Sequence, residues 1–204
     1  TEMRMLAVVD TSGSMKDPAG SSTRMALAHQ AGLVALSAFP PGSVIGLWRF
    51  GYHLGGPTQD WQEMVPQRGL NDVVGSKDQR ARLAEGFATL AARPGGSTGL
   101  YDTILAAYEQ AKAGYDPTRI NSIVLLTDGK NEDPYSITLD DLLAKLAAAK
   151  DPARPIVVIT VAIGPDADAA TLARVTEVTG GRSYTATAPE QITGVFVDAL
   201  LNRS

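Results

Sequence analysis

Four short runs of this chain are apolar at nearly every position: residues 5–9, 44–50, 120–127 and 156–163. Each has the length of a strand and is rich in Val and Ile. Continuous apolarity, as opposed to alternation, marks strands covered on both faces. Between them, apolar residues recur at spacings of three and four, the period of a helix with one buried side. One such stripe is Met25, Ala28, Gly32, Leu36 and Phe39; a second is Leu100, Ile104, Ala107, Tyr108 and Ala111; a third is Leu139, Leu142, Leu143 and Leu146. Leu172 and Val175 begin a fourth, and residues 191–201 read as a last helix. Pro40-Pro41-Gly42, Asp116-Pro117 and Asp151-Pro152 close helices where the pattern ends.

The segment 52–70 breaks this rhythm. It is rich in Gly and Pro, and only 61–65 resembles a strand, expected as a short edge strand after a long loop. Residues 182–185 are expected to form a final edge strand. Strands alternating with helices predict an α/β architecture: a doubly wound open sheet of about six strands, mostly parallel with one antiparallel edge strand, helices on both faces. In such sheets ligands gather beyond the carboxyl ends of the strands, where the winding direction reverses.

Composition narrows the classes of function. Of 204 residues, 44% are apolar, enough for a substantial core, so one domain covering 1–204 is the natural expectation. The net charge is −4, and Lys and Arg are scattered without runs. Neither the basic patch of a nucleic-acid binder nor the charge for docking on an anionic membrane is present. There is no cysteine, which excludes disulfides, thiol chemistry and cysteine-ligated zinc. No apolar run is long enough to span a bilayer as a helix. The chain begins with Thr1 and not Met, as expected of a processed form or a domain excised from a longer chain.

Three segments carry candidate chemistry. Asp10-Thr11-Ser12-Gly13-Ser14 leaves the carboxyl end of the first strand and offers a carboxylate and two alternate hydroxyls on one tight loop. These are hard oxygens, suited to Mg²⁺, Mn²⁺ or Ca²⁺, and Gly13 allows the bend between the serines. Gly95-Gly96-Ser97-Thr98 brings a hydroxyl to a helix start. Thr127-Asp128-Gly129 ends an inner strand, on the same sheet edge as Asp10. Each has a plainer explanation when taken alone: a capped turn at Asp10, a helix N-cap at Thr98, a turn former at Asp128. The loop 130–134 reads first as solvated, with selection of a partner as the alternative. Tyr52, His53 and Trp61 read first as packing residues, with anchoring of a partner as the alternative. His29 and His53 lack ligand spacing, and Asp102 is expected to support its helix start.

Together and in this order, the three segments resemble the metal ion-dependent adhesion site of von Willebrand factor A domains, a family that includes integrin I domains. The resemblance covers essentially the whole chain. It implies that Ser12 and Ser14 bind a divalent cation directly, Mg²⁺ first, with Mn²⁺ or Ca²⁺ as alternatives. It implies that Thr98 binds directly or through water, and that Asp10 and Asp128 act mainly through water. One position is left for an Asp or Glu carboxylate of a protein partner. The implied function is a metal-dependent protein-binding, adhesion-type module that is not an enzyme. The wording of the motifs resembles bacterial members, some exported and some fused to solute-binding-type envelope proteins, so an extracellular or cell-envelope location is expected, with the cytoplasm as the alternative.

The rival class is a metal-dependent phosphohydrolase of the haloacid dehalogenase type, which also places Asp after strand one. It needs a second Asp two residues later, where this chain has Ser12, and no phosphate-binding lysine is identifiable. The glycine patterns of nucleotide-binding loops are absent, and neither histidine falls at the strand-end face.

Overall fold

The computed structural model describes residues 1–188 together with 190, 191, 194 and 198. In chain order the elements begin with β1 (Met3–Asp10), a 3-10 turn (Gly13–Lys16), and a two-residue hairpin of β2 (Pro18–Ala19) and β3 (Ser22–Thr23). Next come α1 (Arg24–Ala38), β4 (Val44–Phe50), β5 (Trp61–Gly69), a second small hairpin of β6 (Val73–Val74) and β7 (Lys77–Asp78), and α2 (Gln79–Thr89). The chain continues through α3 (Leu100–Ala113), β8 (Ile120–Thr127), α4 (Leu139–Ala149), β9 (Ile156–Ile163), α5 (Ala169–Thr179) and β10 (Arg182–Ala186). The helix expected over 191–201 falls mostly outside the described residues.

One six-stranded sheet runs in the order β10-β9-β8-β1-β4-β5, with β5 antiparallel to β4 and every other neighbouring pair parallel. This is the doubly wound sheet the alternating pattern predicts. Side chains alternate across the pleat, and β1 shows the consequence. Met3, Met5, Ala7 and Val9 enter a core layer with α1 and α2, whereas Leu6 and Val8 enter the opposite layer with α3, α4 and α5. Each fully buried Val, Leu or Ile side chain contributes about 1.5–3 kcal/mol relative to exposure.

Helix starts follow side-chain capping. Thr23 accepts from the Ala26 amide, Asp78 from Ala81, Thr138 from Asp141 and Asp168 from Thr171. Several features exceed the sequence expectation, the two small hairpins among them. The edge strand continues to Gly69 beyond residue 65, and α2 has no counterpart among the expected helices. Pro66 sits within β5 because that strand is at the sheet edge, and the β4–β5 register shifts beside it between Ile45 and Trp48.

The order places β1 between β4 and β8. From β1 the chain winds outward through β4 to β5, then returns to β8 on the other side. The winding therefore reverses between β1 and β8, and a crevice opens at their carboxyl ends. Asp10 and Asp128 stand there.

Candidate metal site

Asp10 is the last residue of β1 and is fully buried. Its Oδ1 accepts from the Ser12 amide at 2.7 Å, and its Oδ2 accepts from the Thr127 hydroxyl at 2.6 Å. The first contact folds the chain back after the strand; the second ties the ends of β1 and β8. The Ser12 and Ser14 hydroxyls lie 3.3 Å apart, with Ser12 buried and Ser14 half-buried.

The loop between α2 and α3 is sewn to this turn by backbone bonds. Gly13 N–H donates to Gly96 O at 2.8 Å, and Arg93 N–H donates to Thr11 O at 2.9 Å. A Cβ at Gly13 would stand 3.0 Å from Arg93 O and 3.3 Å from Gly95 N, so close approach of two backbones requires glycine here. The loop after β8 closes the ring from the other side. Glu132 N–H donates to Thr98 O at 2.7 Å, and the Glu132 carboxylate accepts from the Thr98 amide at 3.2 Å. Gly129 lies over the centre: a Cβ there would be 3.1 Å from Thr98 Oγ1 and 3.8 Å from Asp10 Oδ2.

Thr98 does not cap α3. The N-cap is Gly99, which makes no side-chain cap, and Asn131 Oδ1 reaches across to accept from the Leu100 and Tyr101 amides at 3.0 and 3.3 Å. The Thr98 hydroxyl is thereby released from a structural duty. It is buried without a hydrogen-bond partner, and so is Asp128 Oδ1. The other oxygen of Asp128 accepts from Arg24 Nη1 at 3.0 Å. Buried polar atoms are normally satisfied, so each orphan calls for an explanation.

Burial, with the nearby charge of Asp128 second, pushes the Asp10 carboxyl up to about 7; the hydrogen bonds from Thr127 and Ser12 oppose the rise. The cause is physical: an interior position of low polarity disfavours the charged form of Asp10, and a neighbouring carboxylate adds to this. The structure thus gathers Asp10, Ser12, Ser14, Thr98 and Asp128 at one sheet edge. Their donor set consists of carboxylates and hydroxyls, with two unpartnered oxygens among them. That set fits a hard divalent cation and offers nothing to a soft one.

Sequence reasoning missed several neighbours. Arg24 acts on the site from a distant position, and in the loop 130–134, expected as a solvated or partner-selecting surface, Asn131 and Glu132 hold the Thr98 segment. A second acidic group lies alongside. Asp60, Asp102 and Asp133 bring carboxylate oxygens within 4.8 Å of one another, in a cavity of about 220 Å³ that His53 and Tyr135 also line. Burial, first among the causes, raises the pKa of both Asp60 and Asp102. His53 adopts φ 57° and stacks on Tyr52 with ring centroids 3.8 Å apart, while His29 Nε2 lies 2.8 Å from Leu90 O, a structural contact.

The model of the von Willebrand factor type A domain matches residues 3–185 of this chain. The chain belongs to that family. Domains of this family are generally interaction modules, commonly metal-dependent, and not enzymes. An uncharacterised protein of Mycobacterium tuberculosis, found in two strains, is 30% identical over 193 residues. That alignment covers 90% of this chain and 26% of the relative, so the von Willebrand factor A domain spans about a quarter of the relative's length. Among solved structures, a von Willebrand factor type A protein from Catenulispora acidiphila superposes with a TM-score of 0.69 at 22% identity, covering 96% of this chain and 41% of that one. Proximal thread matrix protein 1 of the mussel byssus, with a zinc-occupied adhesion-site motif, gives 0.67 at 14% identity, covering 98% and 47%. At these identities the structural likeness concerns the fold. No helix among the described residues is long and apolar enough to cross a membrane.

Proposed function

We propose that this domain is a divalent-cation-dependent protein-binding module whose bound cation is completed by an Asp or Glu carboxylate of a partner protein. The observation that carries the reading is the pair of buried, unpartnered oxygens, Thr98 Oγ1 and Asp128 Oδ1, beside the paired hydroxyls of Ser12 and Ser14. The zinc-occupied motif of the mussel protein supports a cation at this position of the fold.

Ser12, Ser14 and Thr98 would hold the cation through their hydroxyls, with Asp10 and Asp128 supplying negative charge, directly or through water. The preferred ion is Mg²⁺, with Mn²⁺ or Ca²⁺ as alternatives, because the donors are all hard oxygens. When bound, the cation supplies an electrophilic position for a carboxylate oxygen. The chain's own residues do the rest. Thr127 and the Ser12 amide fix both oxygens of Asp10, so its carboxylate is preset for a cation and not free to rotate away. Asn131 takes over the capping of α3, which leaves Thr98 available. The partner class is protein and not nucleic acid, in keeping with the net charge of −4. The proposed location is the cell envelope or outside the cell, and surface proteolysis of intact host cells tests it.

Affinity capture from the native host, with Mg²⁺ and with EDTA, tests the function. Retention of a partner in Mg²⁺ but not in EDTA, lost in Asp10→Ala protein, is the expected result. Equal retention in EDTA overturns it.

A further inference from the structure

The two acidic members of the site do not have equal surroundings. Asp10 is bonded only to uncharged donors, a hydroxyl and an amide. Asp128 is in a salt bridge: Arg24 Nη1 lies 3.0 Å from its Oδ2, and the side chains of the pair are 7% and 0% exposed. The other arm of the guanidinium, Nη2, lies 2.9 Å from Asp166 Oδ2 in the loop between β9 and α5. Asp166 is 78% exposed, so this outer contact is screened while the inner one is not.

The backbone is shaped to admit the arginine. Gly164 has φ 88°, and a Cβ on it would stand 2.8 Å from Arg24 Nε and 3.2 Å from Cζ. Arg24 is the first residue of α1, placed there by the Thr23 cap, so its side chain starts at a fixed point. Inner carboxylate, guanidinium and outer carboxylate form one line from the site to the surface.

We infer that Arg24 is a positioning residue that neutralises Asp128, holds one of its oxygens away from the cation, and so makes the cation site depend on a partner carboxylate. The inference rests on the metal-binding reading of this site. Its logic is charge counting. Asp10 and Asp128 together would match a divalent cation fully. With Arg24 bound to Asp128, one unit of negative charge remains, and the occupied site carries an unbalanced positive charge. An incoming Asp or Glu cancels it. A fixed cation close to the site also opposes metal binding directly, more so because the pair is buried and weakly screened. Arg24 therefore trades intrinsic metal affinity for a demand for an anionic ligand. Lys would keep the charge but not the two-armed geometry, since its ammonium is a point charge and the guanidinium a planar fork.

The test is Mn²⁺ and Mg²⁺ affinity of the whole domain, measured with the metal alone by calorimetry and by paramagnetic titration. In Arg24→Gln protein we expect affinity about tenfold or more tighter than in the parent, with Arg24→Lys within about threefold of the parent. Asp166→Asn removes the competitor for the guanidinium, leaves Arg24 fully on Asp128, and should weaken metal binding by about two- to threefold. The opposite signs are what a purely structural arginine does not give: there, both Gln and Asn variants would lose affinity. Arg24→Gln that is folded and binds metal like the parent or more weakly overturns the inference while leaving the metal site standing. A parent that binds no metal overturns the metal reading and this inference with it. Should Arg24→Gln not fold, Arg24→Met is measured in its place: tighter metal binding than the parent is the expected result, and binding equal to or weaker than the parent overturns the proposal.

Discussion

Thr127 donates its hydroxyl to Asp10 Oδ2 at 2.6 Å, joining the last residues of two neighbouring parallel strands that lie 117 positions apart in the chain. Both residues are fully buried. The bond does two things. It satisfies a carboxylate oxygen that would otherwise be stranded in the interior, and it orients the other members of the site around a fixed point. Thr127→Val keeps the shape and removes the donor. Denaturant unfolding of this variant is expected to show a loss of about 1–3 kcal/mol, the cost of leaving a buried acceptor unpaired.

Glycine at position 13 is predicted to be irreplaceable for the site and tolerable for the fold. Gly13→Ala puts a methyl group 3.0 Å from the carbonyl of Arg93, which is backbone and cannot swing aside. The turn at Ser12–Ser14 and the loop at Gly95–Thr98 must give by a few tenths of an ångström. Thermal unfolding should show a loss of about 1–3 kcal/mol, as for other overpacked positions, and metal affinity should fall by at least tenfold. A variant with parental metal affinity would show that the two loops need not touch.

Asn131 caps α3 from another loop, so its removal probes how that loop supports Thr98. Asn131→Ala leaves the Leu100 and Tyr101 amides without their acceptor. The expected cost in chemical denaturation is about 0.5–2 kcal/mol, the range for lost helix caps. With Glu132 still bound to Thr98, metal affinity should fall less than in Gly13→Ala.

The raised pKa of Asp10 makes stability depend on pH in a defined direction. Its folded value of about 7 stands above the ordinary value of 3.8, first through burial and then through Asp128. The folded, metal-free protein therefore holds a proton that the unfolded chain releases. Its contribution to stability is fully present below pH 3.8 and is lost as pH rises through about 7. Differential scanning calorimetry in EDTA should show this contribution falling between about pH 4 and pH 7 and levelling off above. A divalent cation favours the ionised form, so the stabilisation by Mg²⁺ should grow over the same interval. A Mg²⁺ effect that is flat across it would mean that Asp10 does not sense the cation.

Strands β1, β4, β8 and β9 were legible in the sequence because burial on both faces leaves an unbroken apolar run, and the site motif was legible because it sits where such runs stop. The rest was hidden for identifiable reasons. Only Gln79, Leu83 and Phe87 of α2 are buried, too sparse a stripe among Arg, Ala and Glu to declare a helix. Pro66 and Gly69 in β5 argue locally against a strand and are tolerated only because the edge and the register shift relax the ladder. Arg24 begins a helix beside the apolar stripe that starts at Met25, and its partners are 104 and 142 residues away. No local pattern records such a contact. Thr98 resembled a helix cap until the fold showed that Asn131 performs that task.

Isothermal titration of the chelator-treated domain with Mg²⁺, compared with Asp10→Ala and Thr98→Ala proteins of parental fold by circular dichroism, tests the central claim most directly. The expected result is saturable binding at one site in the parent, reduced by at least a hundredfold in Asp10→Ala and by a smaller factor in Thr98→Ala. Binding in Asp10→Ala indistinguishable from the parent, or no binding in the parent, would contradict it.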